Sequence, residues 1–246
     1  MTLIRSLIYV VWLYGSMAVI GIGLAPMMFG PRAWIATPAR LWARAALWGL
    51  RVIVGATVTI KGLEKLPHGA CLVAMKHHAT LDIFSPFTFL NDPAFVLKQE
   101  LMATPVLGWH ASRLKMIPVV REAGASALRR MMAAAREAVA AGRPIVIYPE
   151  GTRRAPGAPP DYKPGIAGMY RDLNIPCAPV ALNSGLVWPA KGLLRRPGRV
   201  TIEILDAIPP GLSRAAFLRE LETRIETATT ALLAGAQGPS GGAKPQ

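Results

Sequence analysis

CLVAMKHHATLD, at residues 71–82, is the stretch from which the fold can be predicted. Its first five residues form a continuous apolar run, as expected for a strand that is covered on both faces of a sheet. His77 would then emerge at the carboxyl end of that strand, where open α/β sheets place their ligands. Asp82 follows five positions later, and Pro86 favours a helix that begins nearby. The stretch therefore predicts a strand, a turn that carries a histidine and a carboxylate, and a helix.

Short apolar runs alternate with helical segments from residue 56 onward. This alternation predicts an α/β domain at residues 55–234, with a largely parallel or mixed central sheet flanked by helices. The predicted strands are residues 57–61, 71–75, 94–97, 116–120, 144–148, 177–182 and 199–205. Helices are predicted at residues 123–141 and 213–233, the second capped by Ser213. Residues 235–246 are rich in Gly, Ala, Pro and Ser, and we expect a disordered tail there.

The first 54 residues are predicted to form membrane-spanning or membrane-dipping helices that precede this domain. No charged residue lies between Arg5 and Arg32, and the apolar run at residues 7–28 is long enough to cross a bilayer core of about 30 Å. Its length and the lack of a small-x-small cleavage site argue against a removable signal peptide. The arginines that follow place the catalytic domain on the cytoplasmic face of the cell (inner) membrane, whether the run spans or dips.

The next segment, residues 34–54, has the pattern of a basic amphipathic helix. Arg40, Arg44 and Arg51 fall on one narrow arc of the helical wheel, and apolar residues fill the opposite side. Such a helix suits a membrane interface, but its apolar face could equally pack on the core of the domain. The sequence supports both interpretations.

Charge and hydropathy narrow the possible partners. The chain has 28 Lys and Arg against 14 Asp and Glu, a net charge of +14, and its mean hydropathy is +0.34. A surface this basic favours anionic partners. Only 7% of the residues are aromatic, and no helix-turn-helix, zinc-finger or RNP-like pattern organises the charge. We therefore expect an anionic membrane surface as a partner and no nucleic acid.

His77 and Asp82 provide a candidate general base and the carboxylate that orients it. An imidazole with an ordinary pKa of about 6.5 can take a proton at neutral pH. A carboxylate behind the ring fixes its tautomer and stabilises the imidazolium that forms. The pair is weak evidence by itself, because a histidine in a loop often has an aspartate at this spacing by chance.

A metal site is the alternative for this region, because His78 adjoins His77. Adjacent residues that leave a strand point in different directions, and His68 and His110 lie in no ligand-like cluster. We predict no metal, and we expect His78 to be a loop or wall residue. The two cysteines of the chain lie in apolar runs and are expected to be buried, reduced thiols.

IVIYPEGTRR, at residues 145–154, is the second candidate motif. Pro149 stops a buried-strand run, and Gly151 lets the backbone of the following loop approach a ligand closely. Arg153 offers a forked set of donors that matches phosphate oxygens. Glu150 can accept a hydrogen bond from a substrate hydroxyl or orient an arginine. A solvated polar loop is the less favoured interpretation.

Two further strand ends complete the candidate site. KMIPVVR, at residues 115–121, places Arg121 at the end of a strand, and IPCAPV, at residues 175–180, runs into Asn183 and Ser184. A surface arginine and a plain core strand are the respective alternatives. The sequence contains no Gly-x-Ser-x-Gly elbow, P-loop or dinucleotide fingerprint, which argues against a serine hydrolase or a nucleotide-binding enzyme.

Four blocks of the sequence contain these motifs, at residues 71–82, 115–121, 145–154 and 175–180. In this order and spacing, they resemble the glycerolipid acyltransferase family, and in particular its bacterial 1-acyl-glycerol-3-phosphate acyltransferase branch. The resemblance covers residues 61–205 and depends above all on the His-x₄-Asp and Tyr-Pro-Glu-Gly-Thr-Arg blocks together. The apolar N-terminal segment also fits that family. The sequence departs from the usual pattern at five positions. The family commonly has a small polar residue, a serine, a glycine, an aromatic residue and a phenylalanine, respectively, where this chain has Lys76, Ala79, Lys115, Pro118 and Tyr148.

The resemblance implies transfer of a fatty acyl group from acyl-CoA or acyl-carrier protein to the sn-2 hydroxyl of 1-acyl-glycerol-3-phosphate, which forms phosphatidate in phospholipid biosynthesis. His77 would deprotonate the acceptor hydroxyl with Asp82 behind it, and the alkoxide would attack the thioester directly. No cofactor would be needed besides the acyl donor. The phosphoglycerol would be held by Arg121, Glu150, Gly151, Thr152 and Arg153.

Two alternatives to this function stay open at the level of sequence. The same chemistry could act on glycerol-3-phosphate, another lysophospholipid or a lyso-aminolipid, because Lys76 and Lys115 could alter the contacts to the headgroup. A basic membrane-binding protein without catalysis is the alternative of a different class. Transfer assays with a panel of acceptors would separate these possibilities.

Overall fold

A computed structural model describes residues 1–120 and 125–237 of the chain, and it has the α/β organisation predicted for residues 55–234. The strands are Ala56–Lys61 (β1), Leu72–Met75 (β2), Ala94–Lys98 (β3), Ile117–Val119 (β4), Ile145–Ile147 (β5), Cys177–Leu182 (β6) and Gly198–Ile204 (β7). The helices are Thr2–Gly23 (α1), Arg32–Gly49 (α2), Leu81–Phe84 (α3), Leu107–Arg113 (α4), Ala125–Ala140 (α5), Gly165–Leu173 (α6) and Arg214–Gln237 (α7).

Each predicted strand is present within one residue of its predicted ends. The sequence missed α4 and α6, because both are short and α6 follows a loop rich in proline and glycine. At its carboxyl end α7 continues through residues 235–237, where the composition predicts the start of a disordered tail. A single glycine in this alanine-rich stretch costs only about 1 kcal/mol and does not end a helix. The rest of that tail, residues 238–246, lies outside the described residues.

The sheet is mixed, with the strand order β1-β7-β6-β2-β5-β3-β4. Strands β6, β2, β5, β3 and β4 pair in parallel, and β7 runs antiparallel to β6. Strand β1 pairs in parallel with β7. In the centre, β2 and β5 are neighbours, and Ala74 lies opposite Ile147. His77 and Glu150 each follow that pair by three residues, so the two motifs leave the sheet side by side at its carboxyl edge.

Helices cover both faces of the sheet. On one face α1 and α2 form a hydrophobic cluster with Val73 and Met75 of β2, and Tyr9 is fully buried in it. On the other face α5, α6 and α7 form a second cluster with Leu72 and Ala74. Successive side chains of a strand point to opposite faces. The continuous apolar run of β2 is therefore needed because both of its faces are buried.

The N-terminal helices α1 and α2 pack closely against each other. The hydroxyl of Tyr9 donates a hydrogen bond to the carbonyl of Ala46 at 3.2 Å, and Trp12 Nε1 donates to the carbonyl of Ala45 at 2.8 Å. At Gly49 a Cβ would lie 2.2 Å from the Trp12 ring, so only glycine allows this approach. Buried aromatic donors thus hold the two helices in one register.

The outer side of these helices is apolar and exposed. Helix α1 is long and apolar enough to cross a membrane, and only 17% of its most apolar window is buried. In α2, Ala43 and Ala46 pack on the core of the domain. Large exposed apolar side chains on the two helices and the turn after α2 are Leu3, Ile4, Leu7, Ile8, Val11, Tyr14, Val19, Ile22, Trp34, Leu41, Trp48 and Val52. Residues 34–54 therefore pack on the core with one part of their apolar surface and expose another.

Candidate active site

His77 and Asp82 lie in contact at the carboxyl end of β2. The distance between His77 Nδ1 and Asp82 Oδ2 is 3.1 Å. The same carboxylate oxygen accepts hydrogen bonds from the backbone N–H groups of His78, at 2.7 Å, and Ala79, at 2.8 Å. A carboxylate can only accept, so the proton of the imidazole lies on Nδ1 and leaves Nε2 as the basic nitrogen. The turn predicted after the strand thus folds the carboxylate back onto the ring.

Tyr148, from the second motif, holds the ring of His77 from the side. The two rings stack with centroids 4.2 Å apart. The Tyr148 hydroxyl donates a hydrogen bond to the backbone carbonyl of Asp82 at 2.7 Å. Burial raises the pKa of Tyr148 well above its ordinary value, so this hydroxyl stays protonated and remains a donor. The tyrosine therefore fixes the plane of the imidazole and the turn that carries its carboxylate.

The loop after β5 lies directly against this turn. The backbone N–H of Arg154 donates to the carbonyl of His77 at 2.9 Å, and Arg153 Nη1 donates to Thr80 Oγ1 at 3.1 Å. Gly151 has a φ of +63°, the left-handed region that favours glycine. Thr152 and Arg153 are exposed, so both can reach a ligand from solvent. The structure brings the first and second motifs together as neighbours on one edge of the sheet.

Glu150 points away from solvent, behind the loop. It is 2% exposed, and its Oε1 lies 3.1 Å from Lys76 Nζ. Arg154 Nε lies 3.8 Å from the same oxygen. Burial raises the pKa of Glu150, and the ammonium of Lys76 opposes that shift. The sequence suggests two roles for Glu150: to accept a hydrogen bond from a substrate hydroxyl, or to orient an arginine. The buried position of the carboxylate beside two cations favours orientation of a cation.

The remaining predicted blocks contribute less to the described site. Arg121, predicted to bind phosphate, lies outside the described residues. The strand at residues 177–180 is fully buried, which agrees with its interpretation as a core strand. Asn183 Oδ1 accepts from the backbone N–H of Thr201 at 2.8 Å, and Asn183 Nδ2 donates to the Leu232 carbonyl at 3.3 Å. Asn183 therefore links β6 to β7 and α7.

Arg195 is a candidate site residue that the sequence interpretation missed. Its guanidinium lies over the ring of Trp188, 4.3 Å from the ring centroid, and its Nε has no hydrogen-bond partner among the described residues. Its Nη1 donates to the carbonyls of Gly192 and Leu193 in its own loop. Burial lowers the pKa of Arg195, the charges of Tyr9 and Tyr14 oppose this shift, and the positive charge of Arg153 adds to it. Arg195 falls outside the four blocks, and only its cationic neighbours Lys191 and Arg196 in the same loop could have drawn attention to it.

His78 and the two cysteines are buried groups without charge. Neither ring nitrogen of His78 has a hydrogen-bond partner in the described part of the chain, and burial lowers its pKa to about 4. Cys71 and Cys177 are free and buried, as predicted, and burial raises the pKa of Cys71 to about 11. Within residues 1–120 and 125–237, no three His, Cys, Asp or Glu side chains are grouped so that they could hold a metal ion.

The fold and this site define a class of protein. A histidine with a carboxylate behind it, at the carboxyl edge of an α/β sheet, can take a proton from a hydroxyl. The arginines beside it can hold an anionic group on the same substrate. Such an arrangement suits the activation of a hydroxyl nucleophile on an anionic substrate.

Comparisons with known proteins identify the family. The family model described as Acyltransferase matches residues 57–183. A 1-acyl-sn-glycerol-3-phosphate acyltransferase of Pseudomonas aeruginosa is 31% identical over 185 residues, which cover 75% of this chain and 72% of the relative. Its namesake in Helicobacter pylori is 26% identical over 172 residues, with 69% and 72% covered. The chain belongs to the acyltransferase family, and it is an enzyme of that family.

A solved structure shares the fold. The crystal structure of the 1-acyl-sn-glycerophosphate (LPA) acyltransferase PlsC from Thermotoga maritima superposes with a TM-score of 0.80. The match covers 95% of this chain and 98% of the other, at 22% sequence identity. The predicted class of fold, a mixed sheet flanked by helices and preceded by an apolar helical segment, is confirmed.

Proposed function

We propose that this acyltransferase transfers a fatty acyl group to the sn-2 hydroxyl of 1-acyl-glycerol-3-phosphate and so forms phosphatidate. The observation that carries the proposal is the contact between His77 and Asp82, 3.1 Å apart, in the same turn whose Thr80 bonds to Arg153. A base for a hydroxyl and a cation for a phosphate thus lie on one short segment. The names of the relatives from Pseudomonas aeruginosa and Helicobacter pylori support this acceptor.

The reaction uses His77 as general base. Nε2 takes the proton of the acceptor hydroxyl while Asp82 stabilises the imidazolium that forms. The hydroxyl oxygen forms a C–O bond to the thioester carbonyl, and the C–S bond of acyl-CoA or acyl-carrier protein breaks. The imidazolium then returns its proton to the leaving thiolate. Tyr148 and the two backbone donors to Asp82 hold this pair in place throughout.

The phosphate of the acceptor binds at the loop after β5. Arg153 and Thr152 are exposed there, and Gly151 keeps the backbone free of a side chain at the turn. We also retain Arg121 as a phosphate ligand on the basis of the sequence. The proposed acceptor site is therefore a strongly cationic region beside the basic nitrogen of His77.

The enzyme acts at the cytoplasmic face of the cell (inner) membrane. The exposed apolar side chains of α1 and α2, together with a net charge of +14, support contact with an anionic bilayer. Helix α1 is held to the domain near both ends: the backbone N–H of Arg195 donates to Ser6 Oγ at 2.8 Å, and His110 Nε2 lies 3.1 Å from the Gly21 carbonyl. These contacts favour a helix that lies against the domain and dips into one leaflet.

Transfer assays with the full chain in liposomes test the proposal. Labelled lysophosphatidate, glycerol-3-phosphate, other lysophospholipids and a lyso-aminolipid are each offered with acyl-CoA and with acyl-carrier protein. We expect phosphatidate as the main product, and we expect His77→Ala to reduce its rate by about 10²-fold or more. Undiminished phosphatidate formation by His77→Ala excludes the mechanism, whereas transfer to a different acceptor alone excludes the substrate.

A further inference from the structure

Lys76 is the centre of a buried charge cluster directly behind the site. Its Nζ lies 3.1 Å from Glu150 Oε1 and 2.6 Å from Glu226 Oε1 on α7. The side chains of Lys76 and Glu150 are 3% and 1% exposed, and that of Glu226 is 25% exposed. The Tyr162 hydroxyl donates to the same oxygen of Glu226 at 2.9 Å. Three separate segments thus meet at one ammonium group.

The side chain of Lys76 points to the face of the sheet opposite to His77. Leu72 and Ala74, which alternate with Lys76 along the chain, belong to the cluster beneath α5, α6 and α7. The backbone N–H of Lys76 continues the pairing of β2 by donating to the Val180 carbonyl at 2.9 Å. Because the ammonium is directed away from the proposed acceptor, its direct contact with the loop of the site is made through Glu150.

Burial makes the interaction between Lys76 and Glu150 strongly dependent on both partners. A carboxylate and an ammonium in a low-dielectric interior are tolerated as a pair, whereas removal of one leaves the other uncompensated. For Glu150 the remaining cation would be Arg154 at 3.8 Å, whose backbone N–H holds the loop to His77. Loss of Lys76 therefore changes the environment of the loop that carries Arg153, without removing any group of the loop itself.

We propose that Lys76 is a positioning residue for the acceptor. It holds the Glu150 carboxylate inward, and this fixes the loop at residues 150–154 so that Arg153 keeps its contact with Thr80. Glu226 anchors the ammonium to α7. The inference rests on the proposed function, because it concerns how the phosphate-bearing substrate is held. It gives a physical role to a lysine where the family commonly has a small polar residue.

Steady-state kinetics of Lys76→Met test this role, with Lys65→Met as the matched control. Lys65 also pairs with a carboxylate, that of Asp206 at 3.2 Å, but both groups are on the surface. We expect Lys76→Met to raise the KM for the acceptor by roughly tenfold or more and to leave the KM for the acyl donor within about twofold. Equal effects on both substrates overturn the proposal, as does an effect no larger than that of Lys65→Met.

A double-variant cycle tests whether Lys76 acts through Glu150. In a Glu150→Gln background the loop at residues 150–154 has no carboxylate that pairs with the ammonium, and only Glu226 on α7 still does. Lys76→Met should then change the acceptor KM by less than about twofold. An undiminished effect in that background overturns the proposal. If Lys76→Met alone does not fold, the double variant decides: recovery of folded protein supports a coupled pair, and failure to recover it contradicts one.

Limited trypsin digestion provides a readout that needs no activity. We expect cleavage after Arg153 and Arg154 in folded Lys76→Met to be about tenfold faster than in the wild type, because the loop is released. Cleavage at an unchanged rate overturns the positioning role. If the wild type transfers acyl groups to no acceptor, the proposed function is wrong, and the digestion still tests the link between Lys76 and the loop.

Discussion

Asp82 concentrates three hydrogen bonds on a single oxygen. Oδ2 accepts from His77 Nδ1 and from two consecutive backbone N–H groups, while Oδ1 is buried without a partner among the described residues. Hydrogen bonds to a carboxylate stabilise its charged form and restrict its rotation. The geometry therefore suits a group that orients an imidazole and offsets its charge without contacting substrate. This arrangement depends on the turn, because the backbone donors belong to the residues that connect the two side chains.

The exposed guanidinium of Arg153 is the group that we expect to bind the phosphate of the acceptor. Arg153→Ala removes the exposed guanidinium that bonds to Thr80, so we expect the acceptor KM to rise about tenfold to hundredfold while the donor KM changes little. Steady-state kinetics with each substrate varied in turn measure both constants. Arg199→Ala, an exposed arginine on β7, is the control for lost surface charge. A rise of similar size in both constants would contradict a role in phosphate binding.

Helix α2 is joined to the sheet by a small ionic cluster around Asp92. Arg32, the first residue of α2, has its Nε 2.6 Å from Asp92 Oδ2, and Arg143 Nε lies 3.1 Å from the same oxygen. Arg143 is buried and also donates to the carbonyls of Pro93 and Leu114. Burial lowers the pKa of Arg143, and the carboxylate of Asp92 opposes that shift. One carboxylate thus ties the N-terminal helices to the loop before β3.

Asp92→Asn is expected to weaken this connection. Asn keeps the shape of the side chain and tolerates the φ of +50° at this position, but it leaves the buried guanidinium of Arg143 without a counter-charge. We expect a loss of about 2 to 3 kcal/mol in the free energy of unfolding, measured by denaturant titration in detergent. Asp161→Asn, which affects the exposed pair with Lys163, should leave the stability unchanged. Equal effects of the two substitutions would exclude a structural role for the cluster.

The pattern of α1 and α2 shows what the sequence of an element can specify. Continuous hydrophobicity predicted that residues 7–28 would be helical, and the arginine arc predicted which side of the next helix would be polar. The sequence of these helices could not predict which apolar side chains would be covered, because that depends on the sheet beneath them. Trp12 and Tyr9 are held by the backbone of α2, whereas Trp48 is 54% exposed. Trp12 and Trp48 have the same side chain, and they differ in burial because only Trp12 donates a hydrogen bond to the backbone of another helix.

Stability of the whole molecule should depend on pH through His78. Burial lowers the pKa of His78 to about 4, against about 6.5 in an unfolded chain. Lys76 and His77 act in the same direction, and the carboxylates of Asp82 and Glu226 oppose it. The unfolded chain therefore takes up a proton below about pH 6.5 that the folded chain does not bind until about pH 4. The stabilisation is complete above pH 6.5 and is lost as the pH falls towards 4, by about 3 kcal/mol in all.

Unfolding of the wild type and of His78→Leu at pH 7 and pH 5 measures this contribution. The ring nitrogens of His78 make no hydrogen bond in the described structure, so leucine removes titration without removing a polar contact. We expect the wild type to lose about 2 kcal/mol more than the variant between these two pH values. Other titrating groups affect both proteins and cancel in the comparison. An identical loss in both proteins would show that His78 does not control the acid sensitivity.

The sequence by itself determined the strands and the order of the motifs, and it put His77 and Asp82 close enough along the chain to meet in one turn. Local rules suffice for these features: a short apolar run bounded by turn residues favours a buried strand, and the five-residue step from His77 to Asp82 can fold back in a turn. The neighbouring position of the second motif also follows, once β2 and β5 are adjacent, because parallel strands end at the same edge.

Only the tertiary structure decided which charged groups lie together. Lys76 meets Glu226 across 150 positions of the chain, and Asp92 contacts both Arg32 and Arg143, which lie in two other segments. Glu150 faces inward instead of toward solvent for the same reason, since its partner points to the opposite face of β2 from His77. Interactions of this kind depend on the packing of α7 and of the loop before β3. Sequence patterns report the period of one element, whereas burial of a charge is set by all the elements that surround it.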